Sequence, residues 1–197
     1  MSAALCIVDV QNDFCPGGAL VVPRGDEVVS VLNRYIERFV AARCSIIATR
    51  DWHPPHSRHF KDSGGPWPVH CVRQTPGAQF HPDLQLPEKT IIISKGTGPE
   101  EDGYSGFDGK DSHGKSLSER LSAMKIDTLY IGGLATDYCV KATCLDALAK
   151  GFKVFFLNDA IRGVNLNPDD SARARHEIAA QGGQPVSFDE FSKTFSS

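Results

Sequence analysis

A three-layer α/β/α fold around a mostly parallel sheet of about six strands is the architecture this sequence predicts, and three observations point to it. Short apolar runs alternate with helical patterns from end to end. The runs are apolar throughout, as strands covered on both faces are. Strand and helix alternate in the order that right-handed crossovers require. With 197 residues, 41% of them hydrophobic, the chain suits a single domain over 1–197 whose core needs no disulfide or metal staple.

The first strand is expected at Ala4 to Val10. Val28, Val29, Val31, Leu32, Tyr35, Ile36, Phe39 and Val40 then recur at helical spacing, so this helix packs one stripe on the sheet. Strands follow at Ser45 to Thr49 and Thr90 to Ser94. Ser116-Leu-Ser-Glu119 has capping-box spacing and opens a short helix. The fourth strand, Thr128 to Leu134, leads into a crossover helix over Cys139 to Leu148, ended by Gly151. Lys153 to Leu157 is the fifth strand. Asn167 and Pro168 read as the N-cap and first position of a helix running to about Gln181. Gln184 to Phe188 is a short sixth strand.

Two stretches interrupt this alternation, Trp52 to Glu88 and Gly96 to Lys115. Loops of that length in a compact domain are functional or disordered. The first is rich in His, Pro and Trp, which disfavours disorder. Both leave the C-terminal ends of strands, where open α/β sheets bind ligands.

A charged fraction of 23% and a net charge of -3 provide no electrostatic basis for binding nucleic acid or an anionic membrane; a small neutral ligand fits better. The first residues lack the basic and apolar regions of a signal peptide, and no segment approaches the length of a bilayer span. A cytoplasmic location is therefore expected, with the six cysteines as reduced thiols. The frequency of symmetric assemblies keeps a homo-oligomer open.

Asp9 ends the first strand, Lys95 ends the third and Cys139 follows the fourth. Each alone has a plainer reading: a loop cap, a solvated cation and a small buried side chain. In a parallel sheet, however, the three share one edge. There Lys95 would favour the thiolate, Asp9 could accept its proton, and a helix start would stabilise negative charge. A second group lies in the first long loop. Asp51 and His53, two apart at a strand end, point the same way, and His70 offers a third ligand. One carboxylate with two imidazoles suits one divalent ion, zinc first and Fe²⁺ or Mn²⁺ as alternatives. His56 and His59 both fall where a fourth ligand is expected, and spacing does not separate them.

Val8-Asp9-Val-Gln-Asn-Asp-Phe14, Asp51-Trp-His53-Pro, Trp67-Pro-Val-His70-Cys-Val, Lys95-Gly, Tyr104-Ser-Gly-Phe and Gly132-Gly-Leu-Ala-Thr-Asp-Tyr-Cys139-Val together resemble the nicotinamidases of the isochorismatase-like superfamily. The likeness runs in order from about residue 4 to residue 160. The first and last motifs are shared by several amidases of the superfamily, and the histidine-bearing loop narrows the choice. The resemblance implies an isochorismatase-like fold. It also implies hydrolysis of nicotinamide to nicotinic acid and ammonia through a thioester, in NAD salvage, with pyrazinamidase activity besides.

Residue by residue, it makes Asp9, Lys95 and Cys139 the catalytic triad and Asp51, His53 and His70 metal ligands; the family's loop varies in length and in where its next histidine falls, so His59 and His56 both stay open as the fourth. The N–H groups of Ala135 and Cys139 become the oxyanion hole, beside a cis peptide between Leu134 and Ala135. Phe14, Trp67, Tyr104 and Tyr138 enclose the pyridine ring. The acidic stretch Thr97 to Gly103 has no chemical role in this scheme beyond placing a lid. Two rival functions remain. Another amidase or carbamoyl hydrolase of the superfamily would keep Asp9, Lys95 and Cys139 without needing Asp51, His53 and His70. A non-catalytic metal- or thiol-sensing protein would combine an ion tightly closed by four protein ligands with no amidase activity.

Overall fold

Fully buried apolar runs become the middle layer. The computed structural model describes residues 2–195 and contains one six-stranded sheet in the order β3-β2-β1-β4-β5-β6, every neighbouring pair parallel. The strands are β1 (Ala3–Val8), β2 (Ser45–Asp51), β3 (Ile91–Lys95), β4 (Thr128–Leu134), β5 (Lys153–Arg162) and β6 (Gln184–Val186). Helices α1 (Glu27–Ala41) and α5 (Phe188–Thr194) cover one face; α2 (Leu117–Ala123), α3 (Lys141–Ala149) and α4 (Asp170–Ala180) cover the other. Among the described residues no helix is long and apolar enough to cross a membrane. All six cysteines carry free thiols.

The chain reverses its direction of travel across the sheet at β1, which is flanked by β2 and β4. A crevice opens at such a switch point, outside the carboxyl ends of the strands. Register lines up what faces it: Val8 pairs with Thr49 and with Gly133, and Asp51 pairs with Lys95. Asp9, Asp51 and Lys95 are therefore delivered to one edge.

Several element boundaries differ from expectation. β1 stops at Val8, because Asp9 adopts φ 49° and turns the chain out of the strand. β5 continues past Leu157 to Arg162 across an irregularity in its pairing with β4. The polar Asp159 is tolerated there because its carboxylate accepts from Tyr35 Oη at 3.1 Å and from the Phe188 N–H at 2.8 Å. α4 begins at Asp170 with Asp169 as its cap, two residues later than Asn167 and Pro168 suggested. The Asp170 carboxylate and the Asn167 N–H bond each other at 2.7 Å, and this closes a turn ahead of the helix. On α1, Val40 is 51% exposed, so it falls off the buried stripe. The sixth strand ends at Val186, and the following Ser187 and Glu190 form a reciprocal capping box that starts α5 instead.

Candidate active site

Lys95 organises the floor of the crevice. Only 1% exposed, its Nζ donates to Asp51 Oδ1 and to the Gly103 carbonyl at 2.7 Å, and lies 3.4 Å from Cys139 Sγ. Asp9 Oδ1 accepts from Thr49 Oγ1 at 2.6 Å. Asp9 Oδ2 lies 2.7 Å from Lys95 Nζ but outside hydrogen-bonding angles, and takes no hydrogen bond. Carboxylate oxygens of Asp9 and Asp51 and the Cys139 sulfur all fall within 4.8 Å of one another. The three strand-end residues read from the sequence are thus brought together, with Asp51 joining them.

Burial and neighbouring charges compete at each of these groups. Burial alone would lower Lys95, but Asp51, Asp9 and Cys139 hold it well above its ordinary value. Burial raises Asp9, against the pull of Lys95 and with the help of Asp51. Asp51 is drawn well below the carboxylate range: burial pushes it up, and the charge of Lys95 outweighs that push. Cys139 is held well above its ordinary value by burial, Lys95 opposing and Asp9 reinforcing. Lys95 favours the thiolate, as expected, but burial and Asp9 outweigh it, so the proton affinity of the Cys139 sulfur is raised beside a carboxylate whose own is raised.

Cys139 also lies two residues ahead of the start of α3. Thr136–Val140 form a π-turn, and α3 starts only at Lys141. The Ala135 carbonyl accepts from the N–H groups of Tyr138 and Val140, each at 3.1 Å, so the widened turn skips the Cys139 N–H. The Leu134–Ala135 peptide is cis.

The histidine loop folds onto the same floor. The His53 N–H donates to the Cys71 carbonyl at 3.0 Å and the Arg73 N–H to the His53 carbonyl at 2.9 Å, which pairs the ends of the loop. His53 Nδ1 meets the Gly96 carbonyl at 3.0 Å and His70 Nδ1 meets the Pro68 carbonyl at 2.8 Å. A carbonyl only accepts, so each Nδ1 carries the proton and each Nε2 presents a lone pair. Both Nε2 atoms lie 3.8 Å from Asp51 Oδ2. Ring nitrogens of His53, His59 and His70 all lie within 4.8 Å of one another. Burial, with His53 next in effect, pushes His59 down to about 4, which keeps it neutral near pH 7. His56 is exposed, and His59 is the histidine that joins the cluster.

These residues fit a divalent ion. His53 Nε2 is buried with no hydrogen-bond partner, an arrangement that is costly unless something accepts its lone pair. Three neutral imidazoles and one carboxylate are the donor set of zinc and related ions. Gly96 makes room for them: it has φ 62°, and a Cβ there would lie 2.4 Å from His53 Cε1.

Above the floor is a pocket of about 370 Å³ of atom-free space, lined on one side by Asp51, His59 and His70 and on another by Ala135 and Cys139. Phe14, Trp67, Tyr104 and Tyr138 form much of the rest. Trp67 Nε1 donates to Tyr104 Oη at 3.0 Å, and Tyr138 meets the Trp67 ring edge-on at 4.8 Å between centroids. Leu20, Asp102, Gly103 and Val164 complete the lining.

Sequence reasoning passed over Leu20, Asp102 and Val164, and also Gln11. The buried Gln11 side chain accepts from the Asp51 N–H at 2.8 Å and donates to the Asp51 carbonyl at 2.8 Å and the Ala78 carbonyl at 2.9 Å. It bridges the first motif to the metal loop. Its signal was a lone amide two residues past Asp9, directly after an apolar run.

The isochorismatase domain family matches residues 3–190. The nicotinamidase of Escherichia coli (strain K12) is 42% identical to this chain over 207 residues, covering 97% of each. Among solved structures, the pyrazinamidase of Pyrococcus horikoshii in complex with zinc superposes with a TM-score of 0.88 at 46% identity, over 95% of this chain and 100% of the other. The PnC1 protein of L. infantum in complex with nicotinate gives 0.84 at 32% identity, over 96% and 94%. With a thiol, a lysine and a carboxylate on the strand ends of a 3-2-1-4-5-6 parallel sheet, and with this match over nearly its whole length, the chain belongs to the isochorismatase family.

Proposed function

We propose that the chain hydrolyses nicotinamide to nicotinic acid and ammonia, with Asp9, Lys95 and Cys139 as its catalytic residues. One observation carries this reading: the thiol of Cys139 faces the same aromatic-walled pocket as Asp51, His59 and His70, and His53 clusters with those two histidines. Another amidase of the family would need the thiol but not the imidazoles. The names of its relatives support the same substrate class.

Nicotinamide lies between the aromatic side chains with its carboxamide over Cys139. The thiol proton passes to Asp9 Oδ2, which has no hydrogen-bond partner of its own, and the sulfur attacks the carbonyl carbon. Backbone N–H groups of Ala135 and Cys139 receive the developing oxyanion. Asp9 returns the proton to the leaving nitrogen, ammonia departs, and a nicotinoyl thioester remains. Asp9 then takes a proton from water as the water oxygen adds to the thioester. As the carbon–sulfur bond breaks, Asp9 returns that proton to the sulfur, and nicotinic acid leaves the restored thiol. Lys95 balances the charge of the Asp9 and Asp51 carboxylates and is itself anchored by the Gly103 carbonyl. Asp51, His53, His59 and His70 would hold a divalent ion, zinc in this proposal, which would supply a Lewis acid for the ring nitrogen of the substrate. The pyrazine analogue has the same features and is expected to react, and nicotinic acid returns to pyridine nucleotide synthesis.

Ammonia release from nicotinamide by the purified protein, with metal content measured on the same sample, tests this. Complete chelation is expected to abolish turnover, and added Zn²⁺, Fe²⁺ or Mn²⁺ to restore it. Full activity in metal-free protein would sink the ring-anchoring role.

A pH prediction follows from Asp9. Its raised proton affinity means that, as pH falls, the base is protonated and lost earlier than an ordinary carboxylate would be. The acid limb of kcat/KM is expected above the usual range of about 4. A limb at or below that value, once shown to report Asp9 by its loss in Asp9→Asn, would count against this assignment.

A further inference from the structure

The acidic stretch between Lys95 and Tyr104 has no part in the reaction described above, yet it packs against the histidine loop. We propose that Asp102 in this stretch is a positioning residue: it orients the His59 ring and thereby sets the affinity of the histidine cluster for its ion. The inference rests on reading that cluster as a metal site.

The geometry is specific. Of the three clustered histidines, two have Nδ1 held by backbone carbonyls, Gly96 for His53 and Pro68 for His70. His59 Nδ1 faces a side chain instead, Asp102 Oδ1 at 3.5 Å. The other oxygen, Asp102 Oδ2, accepts from Arg58 at 3.4 Å. A carboxylate on Nδ1 selects the tautomer whose Nε2 carries the lone pair, turns that atom inward and raises its basicity. His59 is the ligand that needs such a device, because it lies mid-loop with no strand pairing of its own.

Asp102 is held in place by its neighbours. Gly103 has φ 67°, and a Cβ there would lie 2.4 Å from the Gly96 nitrogen, so the two ends of the stretch cross in backbone contact. The Gly103 carbonyl is bonded to Lys95. On the loop side, the Arg58 N–H donates to the Pro99 carbonyl at 2.9 Å. Within the stretch, Glu101 Oε2 accepts from the Gly98 N–H at 3.0 Å. The segment that carries the catalytic lysine thus also supports two of the metal-binding histidines, through Gly96 and Asp102.

The test is the Zn²⁺ affinity of metal-stripped protein, measured by competition with a chromophoric chelator. Asp102→Ala is expected to bind zinc about 10- to 100-fold more weakly. Asp102→Asn is expected to lose less, since its amide oxygen still accepts from Nδ1. Glu100→Ala removes the same charge from the same stretch without touching a histidine, and is expected to stay within about twofold of the wild type, as a change in rim charge alone does. Saturating zinc is expected to restore turnover of Asp102→Ala, and the melting temperature of the metal-free protein is expected not to move.

Unchanged zinc affinity in Asp102→Ala, or an equal loss in Glu100→Ala, would overturn the proposal. So would a wild type that hydrolyses nicotinamide but binds no zinc. A wild type that binds zinc without hydrolysing nicotinamide would instead remove the proposed function, and the affinities of the three variants would still decide the role of Asp102.

Discussion

Cys139→Ala is expected to lower kcat for ammonia release from nicotinamide by about 10⁴-fold or more, the scale on which loss of a covalent nucleophile acts. No other thiol stands in for it. Cys6 and Cys144 are fully buried in the core beneath α3, and burial pushes Cys6 up to about 12. Cys71 is likewise fully buried, and burial with Asp51 next in effect holds it well above its ordinary value. Removing one sulfur from a site open to the pocket leaves little cavity, so the fold should persist with its melting temperature nearly unchanged. Zinc binding should persist too, because the histidine cluster does not use the cysteine. The measurement is single-turnover and steady-state ammonia release, with metal content as a control. A variant retaining activity within about tenfold would refute the thioester route, since general-base catalysis alone contributes only about 10²- to 10⁴-fold.

Lys95→Met is the second large effect, and it falls on stability as well as on rate. The substitution keeps a long side chain but removes the one positive charge between Asp9 and Asp51, both fully or almost fully buried. Breaking a buried ion pair on one side costs about 3–5 kcal/mol, because the remaining charge is left uncompensated. For a chain of this length that lowers the melting temperature by roughly 6 to 20 °C. The sign of its pH dependence follows from Asp9. Without Lys95 its folded-state proton affinity rises further above the unfolded value, so the variant gains relative stability as pH falls and Asp9 is neutralised, and loses it as pH rises. The melting deficit relative to wild type is therefore expected to be smaller at pH 5 than at pH 8. An equal deficit at both values would mean that Lys95 acts by packing and not by charge. Turnover should fall at both pH values, since Asp9 would be held in its protonated form.

Much of this was legible in the sequence because it depends on local patterns. Strands β1 to β4 stand out as apolar runs of the right length, and the α1 stripe as residues at helical spacing. Asp9, Lys95 and Cys139 were found because each is a polar residue that breaks or follows such a run, and because parallel strands put their carboxyl ends on one edge. Asp51, His53 and His70 stood out by residue type. The Ser187–Glu190 capping box was also present in the sequence, but the preceding apolar residues drew that stretch into the strand.

What depends on distance through space was not legible. Spacing left His56 and His59 equivalent; only the packing of the loop on residues 96–103 turns His59 inward and leaves His56 in solvent. Asp51 on β2 and Cys139 on the turn after β4 each lie 44 residues from Lys95, so the charges that act on Cys139 could not be read from its sequence neighbours. Side-chain identity and periodicity by themselves determined the layers of this protein, the edge that carries its chemistry and the residue types found there. The tertiary structure decided which charges pair. Pairing depends on inverse distance and burial, and for residues far apart in the chain both are set only when the strands take their places in the sheet.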